Sequence, residues 1–114
     1  MASNRIGRIN EEIQRELSSL IRTLKDPRVQ QGLVSITTVD TTSDLRHCKV
    51  FVSVLDQNSD VNKVIAGLKS SAGYLRRELG QSLSLRYTPE LHFIQDDSID
   101  KGTHILKLLN ELEN

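Results

Sequence analysis

Apolar residues recur every three or four positions near the start of the chain, a spacing typical of an amphipathic helix. This pattern predicts a helix over residues 5–24, with apolar positions Ile6, Ile9, Ile13, Leu17, Leu20, Ile21 and Leu24. Charged and polar residues fill the positions between them and should face solvent. Asp26-Pro27 should end this helix, because a residue that precedes proline disfavours the α conformation.

Segments rich in β-branched residues follow and predict strands. Residues 33–39 (LVSITTV) and 46–55 (RHCKVFVSVL) are joined by the turn sequence DTTSD at 40–44, which predicts an antiparallel hairpin. The second strand alternates, and one of its faces carries Cys48, Val50, Val52 and Val54. A third strand is predicted at residues 90–95 (ELHFIQ), after Thr88-Pro89.

A second amphipathic helix should begin after the capping sequence QNSD at 57–60. Its apolar stripe contains Val61, Val64, Ile65, Leu68, Ala72, Leu75 and Leu79. Within this stripe Ser71, Ala72 and Gly73 predict a kink, because glycine in a helix interior costs about 1 kcal/mol relative to alanine. Gly80 should end the helix, as glycine commonly does.

The last apolar pattern predicts a C-terminal helix through Ile99, Ile105, Leu108, Leu109 and Leu112. The element order is therefore α-β-β-α-kink-α-β-α, which predicts one α+β domain over residues 1–114. The second strand, the kinked helix and the third strand form a βαβ unit with a right-handed crossover. We expect a three-stranded mixed sheet with helices on one face and the other face partly open.

Charge is balanced in total but segregated along the chain. The 15 basic and 15 acidic residues cancel, yet residues 61–88 hold five basic and one acidic residue, and residues 89–114 hold two basic and six acidic. This asymmetry predicts one positive and one negative face. The single cysteine, the absence of a long apolar run and a polar N-terminus predict a cytoplasmic protein without a membrane segment.

Motifs for catalysis are absent from the sequence, which has no glycine-rich phosphate loop, nucleophile elbow or paired metal-binding cysteines. His47, His92 and His104 show no metal-ligand spacing. The acidic cluster Asp96, Asp97 and Asp100 could hold Mg²⁺, but we favour helix N-terminal acids. Cys48 should be a buried hydrophobe. We therefore predict a protein that is not an enzyme and needs neither a cofactor nor a metal.

Basic side chains remain as the candidate functional residues. They are Arg5, Arg8, Lys25, Arg28, Lys49, Lys69, Arg76, Arg77 and Arg86. Lysine and arginine beside a helix kink suit contacts to phosphates, where exposed backbone N–H groups can also donate. Few aromatic residues are available for base stacking, so recognition of RNA shape and backbone is more plausible than reading of splayed bases. The alternative is an ordinary solvated charged surface.

Short matches run in order through most of the chain: Arg5-x-x-Arg8-Ile9, Lys25-Asp26-Pro27-Arg28, Ser43-Asp44-Leu45, Lys49-Val50, Gly73-Tyr74-Leu75-Arg76, Glu78-Leu79-Gly80, Leu85-Arg86, Pro89-Glu90-Leu91 and Asp97-Ser98. In these stretches the chain resembles the ribosome-binding factor A family, and its element order resembles a type II KH domain. The resemblance implies a KH-like fold in which an Ala-x-Gly kink replaces the usual Gly-x-x-Gly loop. Here that kink reads Ser71-Ala72-Gly73, with serine in place of the family alanine.

The resemblance also implies partners and a role. It implies a monomer that binds free 30S ribosomal subunits late in maturation, contacts 16S rRNA and supports processing of its 5′ end without being a nuclease. Other assembly factors are further candidate partners, and no membrane is. Two other hypotheses stay open: a protein–protein adaptor that uses the open sheet face or the acidic C-terminal helix, and, ranked last, a Mg²⁺-dependent phosphoesterase at Asp96, Asp97 and Asp100.

Overall fold

Helices and strands alternate in the order predicted, with one short helix added. The computed structural model of the chain describes residues 2–56, 58–83, 85 and 87–96. Its elements are α1 (Ala2–Arg22), α2 (Pro27–Gly32), β1 (Val34–Thr41), β2 (His47–Val54), α3 (Val61–Ser70), α4 (Ala72–Leu83) and β3 (Glu90–Gln95). The predicted C-terminal helix lies outside the described residues. No helix among the described ones is long and apolar enough to cross a membrane.

The three strands form one mixed sheet, as predicted, and they lie in the order β1-β2-β3. Strand β1 pairs antiparallel with β2, so that Val34 lies opposite Val54 and Thr41 opposite Cys48. Strand β3 pairs parallel with β2, in a register that starts with His47 beside Glu90. The β1–β2 turn and the start of β3 therefore share one end of the sheet, called here the turn end, and the start of β1 lies at the opposite end.

One face of this sheet forms the core. Its alternate residues Cys48, Val50 and Val52 are fully buried, and the helices supply the side chains that cover them. These helical core residues have no exposed surface: Ile13, Leu17, Leu68, Leu75 and Leu79. Residues at the intervening strand positions point to the other face, because side chains alternate along a strand. That face carries Lys49, His47 and His92.

Helix α1 also covers the outer edge of the sheet. The Asn10 Oδ1 atom accepts a hydrogen bond from the Thr41 N–H at 3.0 Å, and the Gln14 amide donates to the Ile36 carbonyl at 3.1 Å. These side chains satisfy backbone groups that an edge strand would otherwise leave unpaired. Asn10 meets the end of β1 while Gln14 meets its middle, so α1 runs antiparallel to β1.

Helix α2 is the main departure from the predicted elements. Asp26-Pro27 was expected only to end the first helix, but it also begins a second one. The Asp26 carboxylate accepts from the Arg28 N–H at 2.9 Å as an N-cap, and Pro27 occupies the first turn, where its missing N–H is not needed. Leu33 ends the helix in the left-handed region with a φ of 51°. The first strand consequently begins at Val34 rather than Leu33.

Several boundaries also differ from prediction. Helix α1 runs from Ala2 to Arg22 rather than over residues 5–24, and β2 runs from His47 to Val54 rather than over residues 46–55.

Tertiary contacts explain two further differences. Strand β1 continues through Asp40 and Thr41, which were assigned to the turn, because both residues pair with β2. Helix α4 continues past Gly80 to Leu83, and the structure has no glycine with positive φ among its described residues. Gly80 instead gives room to Thr88, since a Cβ at Gly80 would overlap the Thr88 side-chain oxygen. Strand β3 coincides with the predicted residues.

Candidate functional site

The helix interruption lies at Ser71, the first of the three residues predicted to form it. Helix α3 ends at Ser70 and α4 starts at Ala72. The Ser71 N–H donates to the carbonyls of Gly67 at 3.2 Å and Leu68 at 3.1 Å, and the Ser71 carbonyl accepts from the Leu75 N–H at 2.9 Å. The backbone thus makes a tight turn at one residue and resumes as a helix.

Both sides of this break are fixed to the same core. Leu68 precedes the break and Leu75 follows it, and both side chains are fully buried. Gly73 lies inside α4 with no atom within 4 Å of the position that a Cβ would take, so the outer surface at the start of α4 is open. The break therefore alters the exposed surface of α3 and α4 but leaves their packing against the core intact.

Gly73 and Gly80 both lie in α4 but differ in the space around them, and this difference yields a prediction. Gly73→Ala should stabilise the protein by about 0.5–1 kcal/mol, because alanine restricts the unfolded chain and the helix has room for the methyl group. Gly80→Ala should destabilise it, because the methyl group would displace Thr88. Urea unfolding followed by circular dichroism measures both effects. A destabilised Gly73→Ala variant together with a stabilised Gly80→Ala variant would show that the surroundings of the two glycines are assigned wrongly.

The solvent side of α3 and α4 is positively charged. Residues 61–83 contain Lys63, Lys69, Arg76 and Arg77, all exposed, and a single acidic residue, the half-buried Glu78. We call these four cations the α3–α4 cationic face. Within residues 2–56, 58–83, 85 and 87–96, Arg28–Asp26 is an ion pair, and His47 lies 3.7 Å from a Glu90 carboxylate oxygen. No carboxylate in the described part forms an ion pair with these four cations, although Asp56 and Asp60 line the same groove as Lys63.

Arg76 and Arg77 differ in their contacts. The Arg76 Nε atom donates a hydrogen bond to the Thr88 carbonyl at 3.0 Å and so ties α4 to the segment before β3. Arg77 makes no hydrogen bond or ion pair with the described residues. Arg76 thus combines a structural contact with its exposure, whereas Arg77 is available for a ligand.

Arg28 is bound to its own helix cap. Its guanidinium donates to both carboxylate oxygens of Asp26, at 3.0 and 2.6 Å. These side-chain hydrogen bonds hold the pKa of Asp26 below its ordinary value, and the Arg28 N–H lowers it further. The pair also lies against α3, because a Cβ on Gly67 would fall 3.2 Å from the Asp26 carboxylate and 3.4 Å from the Arg28 Nε atom. The Asp26 carboxylate therefore compensates much of the positive charge of Arg28.

Lys63 lies beside the same groove as Arg28, although Lys63 was not among the candidate residues predicted from the sequence. Arg28 and Lys63 line one shallow groove between α2 and the start of α3, together with the carboxylates Asp56 and Asp60 and other polar residues of the preceding loop. Helix α2, which forms the other side of this groove, was not predicted from the sequence. The dense positive charge of residues 61–88 is the one signal that could have identified it.

The remaining candidates lie in separate places. Arg5 and Arg8 are exposed and precede Asn10, so the direction of α1 places them toward the turn end of the sheet, the end to which Arg76 is also tied through Thr88. Lys25 is exposed beside α2 at the other end. Lys49 lies on the sheet face opposite the helices, and Arg86 lies outside the described residues. The candidates on the helices thus lie at different places along the helical layer, and Lys49 lies on the other face of the sheet.

Asp96, from the predicted acidic cluster, directly follows β3. The Thr37 hydroxyl, at the β-bulge of β1, donates to the Asp96 carboxylate at 2.5 Å and bridges the sheet from β1 to β3. Asp97, Asp100 and His104 lie outside the described residues.

Cys48 is fully buried, as predicted, and burial raises the pKa of its thiol.

His47 and His92 are neighbours, although 45 residues separate them in sequence. The His47 Nδ1 atom lies 3.1 Å from the His92 Nε2 atom and 3.7 Å from a Glu90 carboxylate oxygen. The parallel β2–β3 register brings them together, and it could not be seen in the spacing of histidines along the chain.

Comparisons with known proteins agree on one family. The family model described as ribosome-binding factor A matches residues 5–109. Ribosome-binding factor A of Acetivibrio thermocellus is 53% identical over 108 residues, which cover 94% of this chain and 87% of the relative. The crystal structure of ribosome-binding factor A from Thermus thermophilus superposes with a TM-score of 0.69 at 21% identity, over 79% of this chain and 94% of that one.

A third comparison concerns a complex. A homology model of the Thermus thermophilus ribosome binding factor A, fitted into a cryo-EM map of a 30S complex, has a TM-score of 0.63 and 22% identity, over 77% of this chain and 91% of that one. At these identities the two structural comparisons show a shared fold, and ribosome-binding factor A structures have the KH-like fold that the element order indicates.

Proposed function

The chain belongs to the ribosome-binding factor A family, and from that premise we propose that it binds the free 30S ribosomal subunit through 16S rRNA. It acts in the cytoplasm as a non-catalytic assembly factor and supports late maturation of the subunit, including processing of the 16S rRNA 5′ end. The Acetivibrio relative is named for ribosome binding, and the Thermus relative was fitted into a 30S complex. Both support this proposal.

The observation that carries the proposal is the α3–α4 cationic face. Four exposed cations accompany one acidic residue over residues 61–83, and none of the four has a carboxylate partner in the described part of the chain. Phosphates of RNA would provide the missing counter-charges, and their binding would release condensed cations from the RNA.

Recognition in this proposal depends on RNA shape more than on base sequence. Tyr74 is the aromatic residue nearest the break and is 42% exposed, so it offers one stacking surface. Among the described residues Tyr87 is the other exposed aromatic residue. So few rings beside several cations suit a folded RNA backbone with one or two unstacked bases better than a long splayed strand. The mixed-sign surface elsewhere would disfavour nonspecific attachment to other RNA.

Binding of this kind can support maturation without catalysis. A ligand shifts a conformational equilibrium only by as much as its affinities for the two states differ. If the protein binds the immature arrangement of 16S rRNA more tightly than the mature one, it holds the subunit in a form that processing enzymes can reach. Completion of the subunit then weakens binding and releases the protein.

Co-sedimentation tests the proposal. The full chain is centrifuged with free 30S subunits and, separately, with assembled ribosomes at equal concentrations, and bound protein is measured in each fraction. We expect clear enrichment on free 30S subunits, and loss of binding when ribonuclease digests the exposed RNA. Equal binding to both particles would contradict the assembly role, and binding that survives digestion would favour a protein–protein adaptor.

A further inference from the structure

Three side chains that could hold a metal meet on the sheet face opposite the helices. They are His47 at the start of β2, and Glu90 and His92 on β3. Glu90 is the register partner of His47, and His92 follows two residues later on the same face. All three are exposed. None of them belongs to the α3–α4 cationic face, so they are independent of the proposed RNA contacts.

The distances between their ligand atoms suit a small divalent ion. Zn²⁺ lies about 2.0–2.2 Å from imidazole nitrogens and carboxylate oxygens, so two ligands at neighbouring corners of a tetrahedron are about 3.3–3.6 Å apart. The His47 Nδ1 atom is 3.1 Å from the His92 Nε2 atom and 3.7 Å from the Glu90 oxygen. All three ligand atoms lie within 4.8 Å of one another. Small side-chain rotations would place them at three corners.

The surroundings favour this arrangement over a simple contact between two histidines. Both strands are held by paired backbone hydrogen bonds, and the core beneath them is fully buried at Cys48 and Val50. The ligands therefore project from a rigid support, which reduces the entropy lost on binding. Lys49 and Asp40 line the same depression, and their opposite charges offset each other beside the ion.

We propose that His47, Glu90 and His92 form a three-ligand zinc site on the open face of the sheet. The ion leaves one tetrahedral position for water or for a donor group of a partner, as three-ligand zinc sites do. This site is separate from the RNA-binding proposal, and the failure of either leaves the other standing.

Titration of the full chain with Zn²⁺ by calorimetry tests the proposal, with Co²⁺ as a spectroscopic probe. We expect one ion per chain at micromolar concentrations and the intense visible absorption of tetrahedral Co²⁺. Loss of a residue that only hydrogen-bonds a metal ligand weakens metal binding roughly 10–100-fold. The single variants H47Q and H92Q each remove a ligand itself, so each should weaken Zn²⁺ binding by at least this factor. E90Q should also weaken binding, because an amide is a poorer ligand than a carboxylate.

Glu11→Gln is the matched control, since Glu11 is an exposed carboxylate on α1, and it should bind Zn²⁺ like the unmodified protein. Circular dichroism confirms that each variant is folded. The proposal is overturned if the unmodified chain takes up no Zn²⁺ at micromolar concentrations. It is equally overturned if H47Q and H92Q retain full affinity, because the ion would then be bound elsewhere.

Discussion

Replacing both Lys69 and Arg77 with alanine should weaken binding to the free 30S subunit by at least about tenfold. A hydrogen bond to a charged group contributes about 1.5–3 kcal/mol, and 1.4 kcal/mol corresponds to one decade of affinity. Both side chains are exposed and lack hydrogen bonds to the described residues. The free energy of unfolding should therefore change by no more than about 0.5 kcal/mol. Equilibrium binding to purified subunits measures the effect.

Lys69 and Arg77 are a better test than the adjacent Arg76 and Arg77, because Arg76 also bonds the Thr88 carbonyl. The matched control replaces Arg46 and Lys49, two exposed cations of the β1–β2 hairpin, and so removes the same net charge. Lys49 faces away from the helices, and we expect this control to bind nearly as tightly as the unmodified chain. Equal weakening in both double variants would show a nonspecific charge effect and would contradict an interface on α3 and α4.

Leu75→Ala should destabilise the fold by about 2–5 kcal/mol, as truncation of a fully buried leucine usually does. Leu75 fixes α4 to the core just after the break, so its loss leaves a cavity where the two half-helices meet. In a domain of this size each 1 kcal/mol lowers the Tm by about 4 °C, so the decrease should be easy to measure in a thermal melt.

The neighbouring residue is the control for this second prediction. Tyr74 is 42% exposed, and Tyr74→Ala should alter the free energy of unfolding much less than Leu75→Ala does. Tyr74→Ala should instead weaken RNA binding if its ring stacks on a base. A loss below about 1 kcal/mol for Leu75→Ala would be inconsistent with its burial, because surface substitutions already span about 0.5 kcal/mol.

Periodicity was sufficient to predict the architecture. The apolar stripes of α1 and of the α3–α4 pair match their buried faces, and β3 coincides with its predicted residues. These elements could be predicted because an element that is buried on one side has apolar residues at a regular spacing along the chain. Helix α2 was missed because six residues are too few to show a period. Its signals were the cap at Asp26 and the proline after it, and these were used only to end α1.

The candidate site was less accessible to sequence reasoning, because charge along the chain does not specify direction in space. Lys49 and Lys69 carry the same charge, but strand alternation points Lys49 away from the helical layer. Arg28 was expected to be free for phosphate, and the compensating Asp26 lies two residues before it. The contact between His47 and His92 depends on the β2–β3 register, which no local pattern records.

The salt dependence of affinity tests the central claim most directly, because phosphate binding by the α3–α4 cationic face must release cations from RNA. Affinity for free 30S subunits is measured from low to moderate salt and plotted as logarithms. The account predicts a steep decline for the unmodified chain and a slope smaller by about 2 for the Lys69 and Arg77 double variant, one for each lost phosphate contact. Parallel lines for the two proteins, or a flat line for the unmodified chain, would contradict it.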